Sequence, residues 1–196
     1  MIPSINECYA FMDRYHMLDH IKAHSIVVAR IARMIAIGLQ AVNSDISVSK
    51  TTVGALLHDI GKTPSLRSGG NHAKIGEQIC MENGLTEIAP IVAEHVILKN
   101  YHLSDAISEK EVVFYADKRV NHDQIVTLKE RETYIIDRYG LGEEELCRRI
   151  QSNFSLCGQV EAKLFSKLGI SPESLLEMDE AETERFENGL EIPGIH

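Results

Sequence analysis

Apolar residues along most of this chain recur at three- and four-residue steps, the pattern of helices that bury one face. The longest stripe runs through HIKAHSIVVARIARMIAIGL, where Ile21, Val28, Ile31 and Ile35 fall on one side. The same spacing predicts helices over about 5–17, 19–41, 48–60, 71–83, 86–98, 108–121, 123–138, 142–168 and 172–188. Asp19, Ser47 or Ser49, and Asn71 stand where caps belong, and Gly61, Gly84 and Gly140 where helices stop. No stretch alternates long enough to predict a strand. The expected fold class is all-α.

Some polar residues interrupt these stripes. His24 falls on the apolar face of the longest helix. Asp117 follows Val113 and Phe114 by four and three residues and precedes Val120 by three, and an acid in such a place is rarely buried without a partner. The doublet His58-Asp59 sits in ALLHDIGK, directly behind an apolar run. Neutral imidazole and carboxylate are good ligands for zinc, iron or manganese and costly guests in an apolar layer. A lone histidine on such a face is more often a satisfied core residue, and a lone His-Asp pair a surface feature of a helix end. With His24, His58, Asp59 and Asp117 on the inner faces of three predicted helices, one metal served by all of them is the economical account.

Composition narrows the class. A length of 196 residues with a hydrophobic share of 44% suits one core, or one domain with an appendage. The formal net charge of -9 argues against a general nucleic-acid surface. Much of the acidity lies in residues 171–191, with eight acids against one arginine, which read as a solvated helix or acidic tail. Cys8, Cys80, Cys147 and Cys157 form no C-x-x-C pair, and no signal peptide or membrane-length apolar run occurs. Free thiols in a reducing cytoplasm, with no membrane association, are the expectation.

The pattern H…HD…D, with the first His in HSIVVARIA, the doublet in LLHDIGK and the last acid in FYADK, resembles the HD superfamily of metal-dependent phosphohydrolases over residues 19–135. The resemblance implies an all-α HD-domain bundle with the metal site in its centre, and metal ligands at His24, His58, Asp59 and Asp117. His72, opening NHAKIGEQI, and His95, ending IAPIVAEH, stand where the superfamily's two-metal branches carry further histidines. The diadenosine tetraphosphate hydrolases and cyclic-dinucleotide phosphodiesterases are such branches. Asp59 would then bridge two divalent ions, and the mixed nitrogen and oxygen donors suit iron, manganese, zinc or nickel. The chain lacks the GYP signature of the cyclic-dinucleotide group and reads VILKN after His95. A dinucleoside polyphosphate or nucleoside monophosphate is therefore the better expectation.

The implied activity is hydrolysis of a phosphate ester or anhydride of a nucleotide by a metal-activated water, with Asp59 and Lys62 as catalytic residues. The alternatives are a di-iron oxygenase on the same ligand skeleton and a non-catalytic protein that keeps metal for stability. Lys62, Arg67, Lys118 and Arg119 are candidates for gripping phosphate. Lys62 has a plainer reading as a cation favoured by a helix C-terminus, and Lys118 and Arg119 as an exposed basic turn. The segment TPSLRSGGN between Lys62 and His72 reads as a mobile loop and a phosphate-gripping flap. His16 and His20 read as surface residues, His102 as a loop residue, His122 as bordering the site and His196 as terminal. The expected organisation is an HD domain over residues 1–139 and a C-terminal helical extension over 140–196, hinged near Tyr139-Gly140-Leu141-Gly142. That extension could cover the core, bind a partner or form a homodimer face.

Overall fold

The computed structural model describes residues 1–177. Its helices are α1 (Ile5–Arg14), α2 (Asp19–Ala41), α3 (Val48–Leu57), α4 (Lys62–Ser68), α5 (His72–Glu82), α6 (Ala89–Glu94), α7 (Glu109–Lys118), α8 (Leu128–Tyr139) and α9 (Glu144–Leu168). The fold is all-α, and among the described residues it departs from this in one small antiparallel hairpin, β1 (Val120–Asn121) with β2 (Gln124–Ile125). A 3₁₀ turn over Pro172–Glu177 follows α9. The rest of the expected helix 172–188 and acidic tail lies outside the described residues. Among the described residues no helix is long and apolar enough to cross a membrane.

The central element is α2, and its stripe explains why. Ile21, Val28, Ile31, Ile35 and Leu39 are all buried, and the helix packs against α3, α7 and α9. Helix α7 adds Val112, Val113, Phe114 and Tyr115 to the same core, and α9 adds Cys157, Val160, Leu164 and Phe165. Helix starts follow local chemistry. Ser4 and Glu7 form a capping box on α1, Ser47 accepts from the Lys50 amide at 3.2 Å, Asn71 from the Lys74 amide at 3.1 Å, and Thr127 pairs with Glu130.

The expected boundaries shift in places that matter for the site. Helix α3 stops at Leu57, so His58 and Asp59 lie in the turn between α3 and α4 rather than inside a helix running to residue 60. Residues 63–68, expected as part of a mobile loop, are helical. Pro64 does not prevent this because it falls in the first turn, where its missing N–H has no intrahelical partner to lose. Gly69 ends α4 with a left-handed φ of 71°. Gly61 has an ordinary φ of -80°, so its role is not conformational. A Cβ there would meet the His72 carbonyl oxygen at 2.2 Å and the Gly76 nitrogen at 2.5 Å. Its lack of a side chain lets α5 approach the His-Asp turn. Helix α6 is shorter than the expected 86–98 and ends on His95.

The hairpin was not expected from the sequence. Its two strands are joined by His122-Asp123, with His122 at a left-handed φ of 56°. It cuts short the helices predicted over 108–121 and 123–138.

Candidate metal centre

Each histidine of the cluster reaches the site from a different element, and three of them are fixed by the backbone. His58 Nδ1 lies 2.6 Å from the Ala55 carbonyl oxygen, and His95 Nδ1 2.6 Å from that of Val92, each three residues earlier at a helix C-terminus. His24 Nδ1 lies 2.8 Å from the carbonyl oxygen of His122, in the hairpin turn. A carbonyl can only accept, so in all three rings Nδ1 carries the proton and Nε2 is left to face the site as a donor of electrons.

Those Nε2 atoms converge on two carboxylates. His24 Nε2 lies 3.1 Å from Asp117 Oδ1, and His58 Nε2 lies 3.5 Å from Asp59 Oδ2 and 3.6 Å from Asp117 Oδ1. His72 and His95 place their Nε2 atoms 3.1 Å apart, at 3.5 and 3.6 Å from Asp59 Oδ1. Two groups of donor atoms result, each within 4.8 Å of one another: His24–His58–Asp59 and Asp59–His72–His95. Asp59 belongs to both. Asp117 closes the first group from the α7 side.

The arrangement suits cations better than it suits itself. His58 Nε2 is fully buried and finds no hydrogen-bond partner, an omission that normally costs about 1–3 kcal/mol. Elsewhere lone pairs face carboxylates or other lone pairs, a repulsion that a divalent ion turns into attraction. The donors therefore fit divalent metal, and imidazole with carboxylate suits several transition metals alike.

Electrostatics point the same way. Burial raises the Asp59 carboxyl, but His58, His95 and Lys62 outweigh it and hold the group well below the usual carboxylate range. Asp117 behaves alike: burial raises it, and Lys118, His24 and His58 pull it well down. Burial pushes His72 down to about 4 and lowers His95 as well. For His58, burial works against the charge, yet Asp59 and Asp117 win and its pKa rises. Ionised acids and neutral His72 and His95 are the protonation states a metal requires.

The cations expected near the site separate into three groups. Lys62 reaches it, with Nζ 2.8 Å from Asp59 Oδ2 and 38% of its side chain exposed. It does so from the first residue of α4 rather than from an extension of α3. Lys118 is buried behind the ligands. Its ammonium donates to the His95 carbonyl at 2.7 Å, lies 3.3 Å from Asp117 Oδ2, and sits 4.0 Å from the centre of the Phe114 ring. Arg119 requires a correction. It is 2% exposed and spends its guanidinium on the Val126 carbonyl at 2.7 Å, the Tyr115 hydroxyl at 2.5 Å, the Pro172 carbonyl at 3.2 Å and Glu161 at 3.3 Å. It ties α7 to α9 and has no free donor face for substrate. Arg67 is exposed on the last turn of α4.

The other histidines fall close to expectation. His16, His20 and His102 are exposed. His122 borders the site through its carbonyl, while its ring stacks edge-on against Tyr134 at 5.3 Å. Sequence reasoning missed the backbone supports at Ala55, Val92 and His122. Only the two at helix ends had a signal, a histidine at the close of an apolar run.

A family model described as "HD domain" matches residues 21–122. The chain belongs to the HD-domain family. All six candidate ligands fall within that span, and the hairpin turn that holds His24 closes it. The chain is also similar to tRNA (cytidine(56)-2'-O)-methyltransferase of Thermoplasma volcanium, 28% identical over 145 residues. The match covers 64% of this chain and 41% of that protein, so the chain spans about two fifths of the length of the curated relative it matches. No solved structure matches it.

Proposed function

We propose that this HD-domain protein is a metal-dependent phosphohydrolase that cleaves a phosphate ester or anhydride of a nucleotide, with Asp59 shared between two divalent ions. The observation that carries the reading is the pair of donor groups meeting at Asp59, with a lysine ammonium beside the same carboxylate. Divalent ions held there would neutralise phosphoryl oxygens and lower the pKa of a bound water.

The chain's own groups divide the remaining work. His24, His58 and Asp117 would hold one ion, and His72 and His95 the other. Lys62 supplies the positive charge on the open side. Burial lowers its pKa, but Asp59 and Asp117 more than compensate, so the ammonium stays charged and can hold a phosphoryl oxygen as a point charge. Lys118 braces the His95 end of α6 against Asp117. Arg67, exposed on the last turn of α4, would make a weaker contact with the outer part of a substrate.

The test combines elemental analysis of metal-replete protein with a screen of nucleoside monophosphates and dinucleoside polyphosphates for released phosphate. Two ions per chain and phosphate release from a nucleotide are expected. Metal-replete protein that consumes oxygen with a small organic substrate and releases no phosphate would sink the reading in favour of a di-iron oxygenase.

A further inference from the structure

Among the described helices, α8 is the one that buries none of its 12 residues. An amphipathic helix ordinarily adds one face to the core. Helix α8 packs instead against α9 and against strand β1 of the hairpin. It begins beyond the family match, which ends at residue 122.

The hairpin it touches is too small to hold itself. Its two-residue strands pair Val120 with Ile125 and Asn121 with Gln124, and an isolated two-stranded ribbon is marginal in water. Its turn also keeps His122 at a left-handed φ of 56°, which a non-glycine residue retains only where its surroundings fix it. The base of the hairpin is closed by Arg119 and Val126. The Val126 amide donates to the Arg119 carbonyl at 2.8 Å, and Arg119 Nε donates to the Val126 carbonyl at 2.7 Å. The tip is held by α8. Arg131 Nη1 donates to Asn121 Oδ1 at 2.9 Å, and Tyr134, one turn further on, meets the His122 ring edge-on at 5.3 Å. The Arg131 guanidinium lies 5.5 Å from the centre of the Tyr134 ring, so the two groups orient each other.

That tip supports the metal centre. The His122 carbonyl accepts from His24 Nδ1 at 2.8 Å, and His24 Nε2 stands 3.1 Å from Asp117 Oδ1. A ligating imidazole takes its orientation from the partner of its other nitrogen, so a carbonyl that drifts turns the ring with it. We propose that Arg131 is a positioning residue for His24. Through Asn121 and Tyr134 it clamps the hairpin tip, and the clamped carbonyl aims His24 Nε2 into the first donor group. The inference rests on the metal centre of the phosphohydrolase reading and not on its substrate. It gives α8 a part in metal affinity without contact with metal or substrate.

The test has two readouts. In metal-free, ¹⁵N-labelled wild type, the His24 Nδ1–H should give a nuclear magnetic resonance signal slow to exchange with water. Arg131→Met should lose that protection, and so should Asn121→Ala, which breaks the same bond from the other side. Arg138→Met, on the same helix but lying against Tyr139, should keep it. In zinc titrations against a competing chelator, Arg131→Met should weaken one of two binding steps about 10-fold, the low end for losing support behind a ligating histidine. Arg131→Lys, which keeps a donor, should recover most of that loss. A His24 signal that stays protected in folded Arg131→Met and Asn121→Ala overturns the clamp. So does a loss that Arg138→Met shares, or equal weakening of both zinc steps, because either marks a general loosening of the fold. A wild type that binds no zinc, with the His24 signal responding as expected across the variants, supports the clamp and counts against the metal reading.

Discussion

The two donor groups of the candidate metal centre are built differently. His24, His58 and Asp117 come from α2, the end of α3 and the end of α7, three elements that pack against one another through the main core. The other half depends on His72, which opens α5 beside the short loop 69–71, and on His95 at the end of the six-residue α6. His58 is fully buried whereas His72 is 30% exposed. The first half is held by the same contacts that hold the fold, so its geometry is set before any ligand arrives. The second half includes a ligand that can move with little disturbance to the core. One site thus joins a rigid position to a yielding one, with Asp59 between them.

The largest effect should come from breaking the join. Asp59→Ala should abolish hydrolysis and leave at most one weakly held ion, and two ions per chain in that variant by elemental analysis would argue against a shared carboxylate. Next in size is Lys62→Met, which removes a charge from the open side and keeps the stem. Its turnover should drop about 10²–10³-fold, more in kcat than in KM, with metal content retained. Full turnover with metals intact would take Lys62 out of the mechanism.

Lys118→Met probes the rigid side. It strips a buried ammonium from the His95 carbonyl and from Asp117, leaving both short of a partner. Metal-free protein should lose about 3 kcal/mol by denaturant titration. A loss under about 0.5 kcal/mol would mean that the brace carries no load.

The smallest effect is on the yielding side. His72 has a folded pKa of about 4 against an ordinary 6.5, so as pH falls the unfolded chain takes up the proton first. In metal-free protein its contribution is therefore complete above about pH 6.5 and is lost as pH falls toward about 4. His72→Asn should flatten that stretch of the stability curve by less than one proton, under about 1.4 kcal/mol per pH unit, because the ring is 30% exposed. An unchanged slope would show that His72 is not held neutral by burial.

The same contrast explains what could be read from the sequence. Helix α2 runs over the residues its apolar stripe predicts, and the His-Asp doublet, His24 and Asp117 meet because each lies at the edge of an apolar run whose direction is fixed by the core. Features set by distant partners were not legible. Arg119 follows Lys118 directly, yet its destination is decided by Glu161, 42 residues away. The hairpin that supports His24 consists of two-residue strands, too short to show alternation, and its contribution is a backbone carbonyl that no side-chain pattern reveals. Residues 63–68 look like a loop because serine, proline and the glycines that follow suggest one, although the proline falls where a helix tolerates it. Gly61 looks like a helix stop in the sequence, but its importance is the close approach of α5.

The central claim is that two ion positions exist and that only one depends on His72. Elemental analysis of metal-replete wild type and His72→Ala, with circular dichroism to confirm that both are folded, tests it most directly. The account predicts two ions per chain in the wild type and one in the variant. Equal metal content in the two proteins, or loss of all metal from a folded variant, would contradict it.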